Sequence, residues 1–146
     1  MADNFKGMSI DQLDDTLERE SGLLGLSGVS ADLPAVIAAR DAGNARAQLA
    51  IDVFIHRLAA GIGSMIAALD RLDAIVFTGG VGEHAPEVRR RAVQPFAWLG
   101  AAIDDSVNEH TDSDADISAS GAKIRVLVVT SREDLVIARA VRGLLG

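Results

Sequence analysis

The residues best suited to chemistry in this sequence form a glycine-rich turn, Gly79–Gly82, which follows the apolar run Ala74–Thr78. Glycine lets the backbone adopt positive φ and lets its N–H groups approach a ligand closely. Pro86 suits the first position of a helix, so a helix should begin at Ala85 or Pro86. A strand that breaks into such a turn before a helix is typical of phosphate binding.

Two other interpretations of this turn compete with phosphate binding. The segment Gly80–Ala85 fits the G-x-G-x-x-A pattern of dinucleotide-binding proteins, and Asp104 lies near the spacing of their ribose-binding acid. In those proteins the helix already runs from about the second glycine, whereas Pro86 predicts a later start. We therefore reject the dinucleotide interpretation. A tight strand-to-helix turn that binds nothing stays open as the structural alternative.

Two predicted strands must position this turn. Ala74–Thr78 is rich in β-formers and should be covered on both faces, and Ile124–Val129 should be a second buried strand. The polar residues Thr130–Asp134 follow the second strand and lead into a closing helix. Ligands are therefore expected where the two strands end.

Helices account for most of the remaining chain. The spacing predicts a helix over about Ser9–Glu20, a short helix from Asp32 to Ala42, and a core helix of about two dozen residues capped by Asn44. The glycines of Ser21–Ser30 favour an ordered loop. The predicted apolar face of the core helix comprises Ala47, Ile51, Phe54, Leu58, Ile62, Met65 and Leu69.

Two further segments complete the prediction. A helix should run from Pro86 to about Leu99 and stop at Gly100, with Phe96 and Trp98 in the core. The polar stretch from Asp104 to Asp116 is typical of a solvated connector.

Composition excludes several classes of protein. A formal net charge of −7 without a basic run argues against a nucleic-acid surface. The absence of cysteine excludes disulfides and thiolate zinc sites, and the three histidines are scattered. Met1–Met8 has no apolar core for export, and no uninterrupted apolar run reaches the length of a bilayer span. At 146 residues we expect one cytoplasmic domain with no membrane and no nucleic-acid partner.

Several motifs in order along the chain make it resemble the carboxy-terminal domain of acetate and propionate kinases. These motifs are Gly7–Asp11, Ser21–Ser30, Gly43–Arg46, Phe77–Glu83 and Glu133–Arg139. Together they reach over nearly the whole sequence, which makes the resemblance far more specific than the glycine turn alone.

The resemblance implies an α/β, ribonuclease-H-like domain, one lobe of the actin-like ATPase fold and incomplete relative to a two-lobed parent. Residues 1–8 would be a tail and 9–146 the nucleotide-binding domain. The implied function is that of a carboxy-terminal part of an acetate kinase, which converts acetate and ATP to acetyl phosphate and ADP. The alternative is a non-catalytic nucleotide-binding or dimerisation module.

The resemblance also implies positions for the ligands. ATP or ADP would contact Asp32, Leu33 and Pro34, and also Gly80, Val81, Gly82, Glu83 and His84. Magnesium would be associated with Glu133. No catalytic residue can be mapped, because the family's acid/base aspartate, histidine and arginines belong to a preceding domain. The isolated chain is therefore expected to be inactive.

Three positions depart from the family pattern. His84 stands where asparagine is common, Pro34 where arginine is common, and Arg132 where asparagine is frequent. Proline cannot supply a guanidinium contact, whereas Arg132 could either pair with Glu133 or point to solvent. Expected partners are a nucleotide, a short-chain carboxylate in the full enzyme, a second copy of the chain as a homodimer, and a separate amino-terminal lobe.

Overall fold

The structure, a computed structural model, describes residues 7–111 and 113–145 and has an α/β fold with a small mixed sheet. Most of the predicted tail 1–8 and Asp112 of the predicted connector lie outside the described residues. The chain divides into two compact units, Met1–Ala60 and Gly61–Gly146, and the boundary falls inside one long helix. The domain expected over 9–146 contains parts of both units and stays a prediction.

The first unit is helical throughout its described elements. It contains α1 (Ile10–Asp15), a π-helical turn (Thr16–Glu20), α2 (Gly22–Ser27), α3 (Leu33–Asp41) and the first part of α4 (Ala45–Ile66). Its buried apolar side chains come from α3 and α4, and they are Leu33, Val36, Ala47, Ala50, Ile51 and Ile55.

Local signals place two of these helices where the sequence predicts them. Ser9 caps α1 in a capping box, since its hydroxyl accepts from the Gln12 N–H while the Gln12 side chain accepts from the Ser9 N–H. Asn44 caps α4 by accepting from the N–H groups of Arg46 and Ala47. Gly43, with φ of 90°, separates α3 from this cap.

The glycine-rich stretch of the first unit is not the loop that the sequence predicts. Residues Gly22–Ser27 form the short helix α2, which begins at positive φ on Gly22 and ends at positive φ on Gly28. The side chain of Arg46 donates to the carbonyls of Gly25 and Leu26 at 3.1 and 3.0 Å. A side chain thus satisfies two carbonyls that the helix end leaves open.

The long helix α4 forms at about the predicted length, but its buried face differs from the prediction. Ala47 and Ile51 are buried as expected, whereas Met65 is 63% exposed and Leu69 lies beyond the helix end. By length and composition alone α4 could cross a membrane, a test that core helices of water-soluble proteins also pass. Asp52, in the middle of α4, is partly buried and accepts a hydrogen bond from the Gln48 side chain.

The three strands found among the described residues all lie in the second unit. Its elements are β1 (Ala74–Phe77), α5 (Gly79–His84), α6 (Pro86–Val93), a 3-10 helix (Gln94–Leu99), α7 (Asp105–His110), β2 (Ala115–Asp116), β3 (Arg125–Val128) and α8 (Glu133–Leu145). Strand β3 is central, because it pairs with β1 in parallel and with β2 in antiparallel orientation.

The sheet buries one face rather than both. Ile75 and Phe77 of β1 and Val126 and Val128 of β3 are buried, but Val76 on the other face of β1 is 53% exposed. Alternation of buried and exposed side chains is expected of a strand covered on one side. The prediction of strands covered on both faces is therefore wrong for β1, although both strands lie where the sequence predicts them.

Helix α6 and the 3-10 helix after it form the predicted continuous helical segment that stops at Gly100, where φ is 94°. Phe96 is buried as predicted, but Trp98 is 80% exposed, so its predicted place in the core is wrong. The 3-10 geometry has three residues per turn, which changes which side chains share a face. The buried residues of this segment are Val88, Arg89, Ala92, Val93 and Phe96.

The stretch expected to be a solvated connector contains structure of its own. Asp104 accepts from the Val107 N–H and caps α7, and Asn108 on that helix is fully buried. Strand β2 then pairs with β3. The acidic composition of this stretch hides these elements, because the carboxylates of its described residues lie at the helix start and on the surface.

Candidate functional site

The carboxyl ends of two neighbouring parallel strands lie side by side in the second unit. Phe77 at the end of β1 is paired with Val128 at the end of β3, and the Val129 N–H donates to the Phe77 carbonyl at 2.9 Å. The turns after both strands therefore leave the sheet at the same edge. In open α/β sheets this is the edge at which ligands bind.

The turn after β1 is itself a short helix. Helix α5 begins at Gly79, directly after Thr78, and Gly79 has φ of +72°. The expected start at Ala85 or Pro86 is the start of the next helix, α6. The prediction that the helix starts only at Pro86, on which the dinucleotide motif was rejected, is therefore wrong, because a helix does run from the first glycines.

Two glycines of α5 have different structural roles. A Cβ atom at Gly82 would lie 3.3 Å from the backbone carbon of Phe77, so this glycine lets α5 pack directly against the end of β1. A Cβ atom at Gly80 would meet nothing within 4 Å, and its φ is not positive. Gly80 therefore borders open space, whereas Gly82 is needed for close packing.

The carboxylate of Glu83 joins the two strand ends. Its Oε1 atom accepts from the Gly79 N–H at the start of α5 and from the Ser131 N–H just before α8, both at 2.8 Å. Hydrogen bonds to a carboxylate are about twice as strong as neutral ones. The Glu83 side chain therefore lies at the carboxyl edge of the sheet. It connects helix α5 to the segment before α8, which lies 48 positions later in the sequence.

The carboxyl end of α5 is held by a buried arginine. Arg89 is 1% exposed and its Nη1 donates to the carbonyls of Gly82 and Glu83 at 2.9 and 2.6 Å. Its Nε and Nη2 donate to the side-chain and backbone oxygens of Asn108 at 2.8 and 2.7 Å. The Asn108 amide in turn donates to the Pro86 carbonyl at 3.1 Å.

Burial governs the electrostatics of this arginine. Loss of solvent lowers the pKa of Arg89, and the negative charge of Glu109 raises it by a smaller amount. Four oxygen contacts replace the water that the guanidinium loses, as a buried cation requires. Sequence reasoning missed both Arg89 and Asn108, because the run Arg89–Arg91 gives no sign of which arginine faces inward.

The segment between β3 and α8 is held on its other side by Asp114. The Thr130 N–H and the Arg132 Nη2 each donate to this carboxylate at 2.8 Å. The hydrogen bond from Arg132 is the largest cause of the lowered pKa of Asp114, followed by the bond from Thr130. Arg132 thus pairs with Asp114, which is neither of the two outcomes expected from the sequence.

Glu133 begins α8 directly after this segment and is exposed. Within residues 7–111 and 113–145 its carboxylate has no hydrogen bond or ion pair. No group of three or more His, Cys, Asp or Glu residues in those ranges could hold a metal ion. A metal ion at Glu133 would therefore take most of its ligands from outside this part of the chain.

Five of the predicted site residues lie on one short helix of the second unit. Gly80, Val81, Gly82, Glu83 and His84 all belong to α5, and Glu83 connects that helix to the segment that precedes Glu133. Asp32, Leu33 and Pro34 lie at the start of α3 in the first unit, where the Leu33 side chain is buried in the core of that unit. Their assignment to the nucleotide stays a prediction.

The fold and the site define an α/β protein with a glycine helix at the carboxyl edge of a parallel strand pair. The model of the acetokinase family matches residues 2–139. The acetate kinase of Synechococcus sp. (strain JA-2-3B'a(2-13)) is 49% identical over 140 residues, which cover 96% of this chain and 35% of that relative.

Solved structures agree with the family match. The crystal structure of Porphyromonas gingivalis acetate kinase has a TM-score of 0.86 and 33% identity, covering 97% of this chain and 36% of that one. The acetate kinase of Entamoeba histolytica has a TM-score of 0.87 and 30% identity, covering 97% and 38%. This chain belongs to the acetokinase family, as its motifs predict, and it spans about a third of the length of the relatives it matches.

Membership of the acetokinase family now speaks against a dinucleotide-binding motif in this chain. The G-x-G-x-x-A pattern of Gly80–Ala85 occurs here in a member of the acetokinase family. Asp104, the candidate ribose-binding acid, is occupied in capping α7.

Proposed function

We propose that this chain is the carboxy-terminal nucleotide-binding part of an acetate kinase, the enzyme that forms acetyl phosphate and ADP from acetate and ATP. The observation that carries the proposal is the family match over residues 2–139, taken with the glycine helix at the carboxyl edge of β1 and β3. We propose that the chain adopts the ribonuclease-H-like topology of the actin-type ATPases and works in the cytoplasm as a homodimer.

The residues at the sheet edge fit a nucleoside diphosphate or triphosphate. Gly80 borders open space, so phosphate oxygens could approach its backbone without meeting a side chain. Val81 and His84 on the same helix are exposed. The Gly79 N–H is occupied by Glu83, so the contacts would be made at Gly80 and beyond rather than at the first residue of α5.

The exposed carboxylate of Glu133 fits magnesium in a nucleotide complex. Magnesium commonly binds through one or two carboxylates together with substrate phosphates, and retains several waters. A single glutamate is thus sufficient from this chain when the phosphates supply the other ligands. Bound magnesium would neutralise phosphate charge, while the chain's own residues would hold the nucleotide in place.

Titration of ADP into isotopically labelled chain, followed by NMR, tests the proposal. We expect shifts at Gly80–His84, with a dissociation constant on the order of 0.1–1 mM because only part of a binding site is present. Shifts confined to other regions would contradict the nucleotide site. Glu133→Ala should mainly reduce the dependence of binding on Mg²⁺.

A pair of glycine variants separates ligand contact from folding. Gly80→Ala adds a methyl group where the structure has open space, so it should weaken ADP binding while leaving the fold intact. Gly61→Ala is the matched control, because Gly61 is also helical, has no positive φ and has nothing within 4 Å of an added Cβ atom. Equal ADP affinity in both variants would contradict a contact at Gly80.

A non-catalytic nucleotide-binding or dimerisation module is the second candidate function. It is favoured by α8, whose side chains at Val136, Ile137 and Leu144 are exposed although they are large and apolar. We expect no acetyl phosphate formation by the purified chain and a dimeric mass by light scattering. Turnover that follows the chain through a sizing column would contradict the first expectation, and a monomer at tens of micromolar the second.

A further inference from the structure

We propose that Glu83 is a positioning residue, which fixes the start of α8, and with it Glu133, relative to the glycine helix. This inference rests on the proposed function, since it assigns to Glu83 an effect on magnesium-dependent nucleotide binding. It differs from the role expected from the sequence, in which Glu83 contacts the nucleotide. The Glu83 carboxylate is turned toward the protein backbone and already accepts two hydrogen bonds there.

Both hydrogen bonds end on the same oxygen. Oε1 of Glu83 accepts from Gly79 N–H and from Ser131 N–H, each at 2.8 Å. One carboxylate oxygen has two lone pairs and can accept both bonds at full strength. Any displacement of α5 therefore moves the acceptor of Ser131, and Ser131 is two residues before Glu133.

Glu83 is itself fixed at its backbone. Its carbonyl accepts from Nη1 of the buried Arg89 at 2.6 Å, while Nη1 also holds the Gly82 carbonyl. The Arg89 guanidinium is anchored to Asn108 through its other nitrogens. The line of contacts thus runs from the buried interior of the unit, through Glu83, to the amide group before α8.

This line of contacts leads to Glu133, the proposed magnesium ligand, whose own side chain makes no contact that would orient it within the described residues. Glu133 is exposed, and within the described residues its carboxylate has no partner. Residues behind a metal ligand commonly change metal affinity about 10- to 100-fold when they are removed. Glu83 should therefore affect the magnesium-dependent part of nucleotide affinity more than the magnesium-independent part.

The Asp114 contacts provide a matched control in the same segment. Asp114 holds Thr130 and Arg132, whereas Glu83 holds Ser131, so two carboxylates support adjacent residues. Asp114 has no contact with α5 among the described hydrogen bonds and ion pairs. Removing it loosens the segment without breaking the connection to the glycine helix.

The first measurement needs no ligand. Amide hydrogen exchange of Ser131 should become at least about tenfold faster in Glu83→Ala, while the Val129 amide, bonded to the Phe77 carbonyl, stays protected. Glu83→Gln retains an oxygen that can accept both bonds and should restore protection to within about threefold. Unchanged Ser131 exchange in Glu83→Ala, or faster exchange at Val129 as well, would overturn the inference.

The second measurement is the ratio of ADP affinities with and without Mg²⁺, determined by calorimetry on the full chain. We expect Glu83→Ala to lower this ratio about tenfold, and Glu83→Gln and Asp114→Ala to stay within about twofold of the unsubstituted chain. Should Glu83→Ala fail to fold, Glu83→Met keeps most of the side-chain volume and removes the acceptor. The same loss in Asp114→Ala would overturn the inference.

The failures of the two proposals are distinguishable. If the unsubstituted chain binds no ADP, the nucleotide function fails, and the inference about magnesium fails with it. If the chain binds ADP with shifts at Gly80–His84, but Glu83→Ala keeps the full magnesium effect, only the positioning role of Glu83 is overturned.

Discussion

Two short glycine helices, one in each unit, are built in the same way and differ in the burial of the arginine that contacts their ends. Both α2 (Gly22–Ser27) and α5 (Gly79–His84) have six residues and begin at a glycine with positive φ. In each, a glycine three positions later lies close to preceding backbone. A Cβ atom would be 3.0 Å from the Glu20 carbonyl oxygen at Gly25, and 3.3 Å from the Phe77 backbone carbon at Gly82.

Carbonyls near the end of each of these helices accept hydrogen bonds from an arginine side chain. Arg46 donates to the carbonyls of Gly25 and Leu26 and is exposed, whereas Arg89 donates to those of Gly82 and Glu83 and is 1% exposed. Water can replace an exposed guanidinium at a helix end, but it cannot easily reach a buried one. Each arginine donates to two carbonyls of its helix, so for these bonds burial is the difference that we expect to set the energetic weight of the arginine.

The largest effect should come from Arg89→Ala. Removing this side chain leaves the Gly82, Glu83 and Asn108 oxygens buried without their donor, so we expect a loss of about 3 kcal/mol in the free energy of unfolding. Arg89→Lys should recover little, because an ammonium cannot reproduce the three-nitrogen fork. Urea denaturation measures both, with Arg90→Ala, a surface position, as control. A loss below about 1 kcal/mol for Arg89→Ala would contradict this weight of burial.

The next effect should come from glycine packing in α5. Gly82→Ala places a methyl group against the Phe77 backbone, and we expect a loss of about 1–2 kcal/mol. Gly80→Ala has open space and a helical φ, so it should be neutral or add up to about 1 kcal/mol through helix propensity. Thermal unfolding followed by circular dichroism compares them, and equal stabilities would contradict the different roles assigned to the two glycines.

A smaller effect is expected from Arg46→Ala in the first unit. The exposed guanidinium leaves carbonyls that water can reach, so the loss should be about 0.5–1 kcal/mol. Its measurement under the conditions used for Arg89→Ala gives the comparison directly. A loss as large as that of Arg89→Ala would contradict the greater weight assigned to the buried arginine.

The smallest effect concerns Arg132 and Asp114, an exposed arginine contact in the second unit. Arg132→Ala should raise the pKa of Asp114 toward its ordinary value, measurable by NMR titration of the carboxyl carbon. Because the folded pKa is lowered, the Asp114 contribution to stability is present above its unfolded pKa of about 3.9 and is lost as the pH falls through the lowered value. An unchanged pKa in Arg132→Ala would contradict the assigned cause.

Sequence reasoning succeeded where one local signal determines the outcome. Ala74–Thr78 and Ile124–Val129 are short apolar runs between polar residues, and both form strands. Ser9 and Asn44 carry cap signals that the structure contains. The family motifs, read in order, led to the family that the comparisons confirm.

Sequence reasoning failed where tertiary contacts override the local preference of the chain. Both α2 and α5 are helices of glycine-rich sequence, which propensity disfavours, and arginine side chains from outside each helix satisfy their ends. Trp98 is a large apolar residue of the kind expected in a core, but it lies on a 3-10 helix that places its side chain on the surface. The inward direction of Arg89 depends on Asn108, 19 positions away, and no local pattern reports that pairing.

The last helix, α8, is exposed along its described side chains. Over 133–144 every residue is exposed, so these residues gain little from packing within the described chain. Isolated helices shorter than about 12–15 residues are marginal in water. We therefore expect α8 to fray beyond its start, which the Glu83 contact to Ser131 holds, and its helical circular dichroism signal to increase when a second copy of the chain covers Val136, Ile137 and Leu144. Glu133 stands at the boundary between the ordered sheet edge and a helix that gains order from a partner.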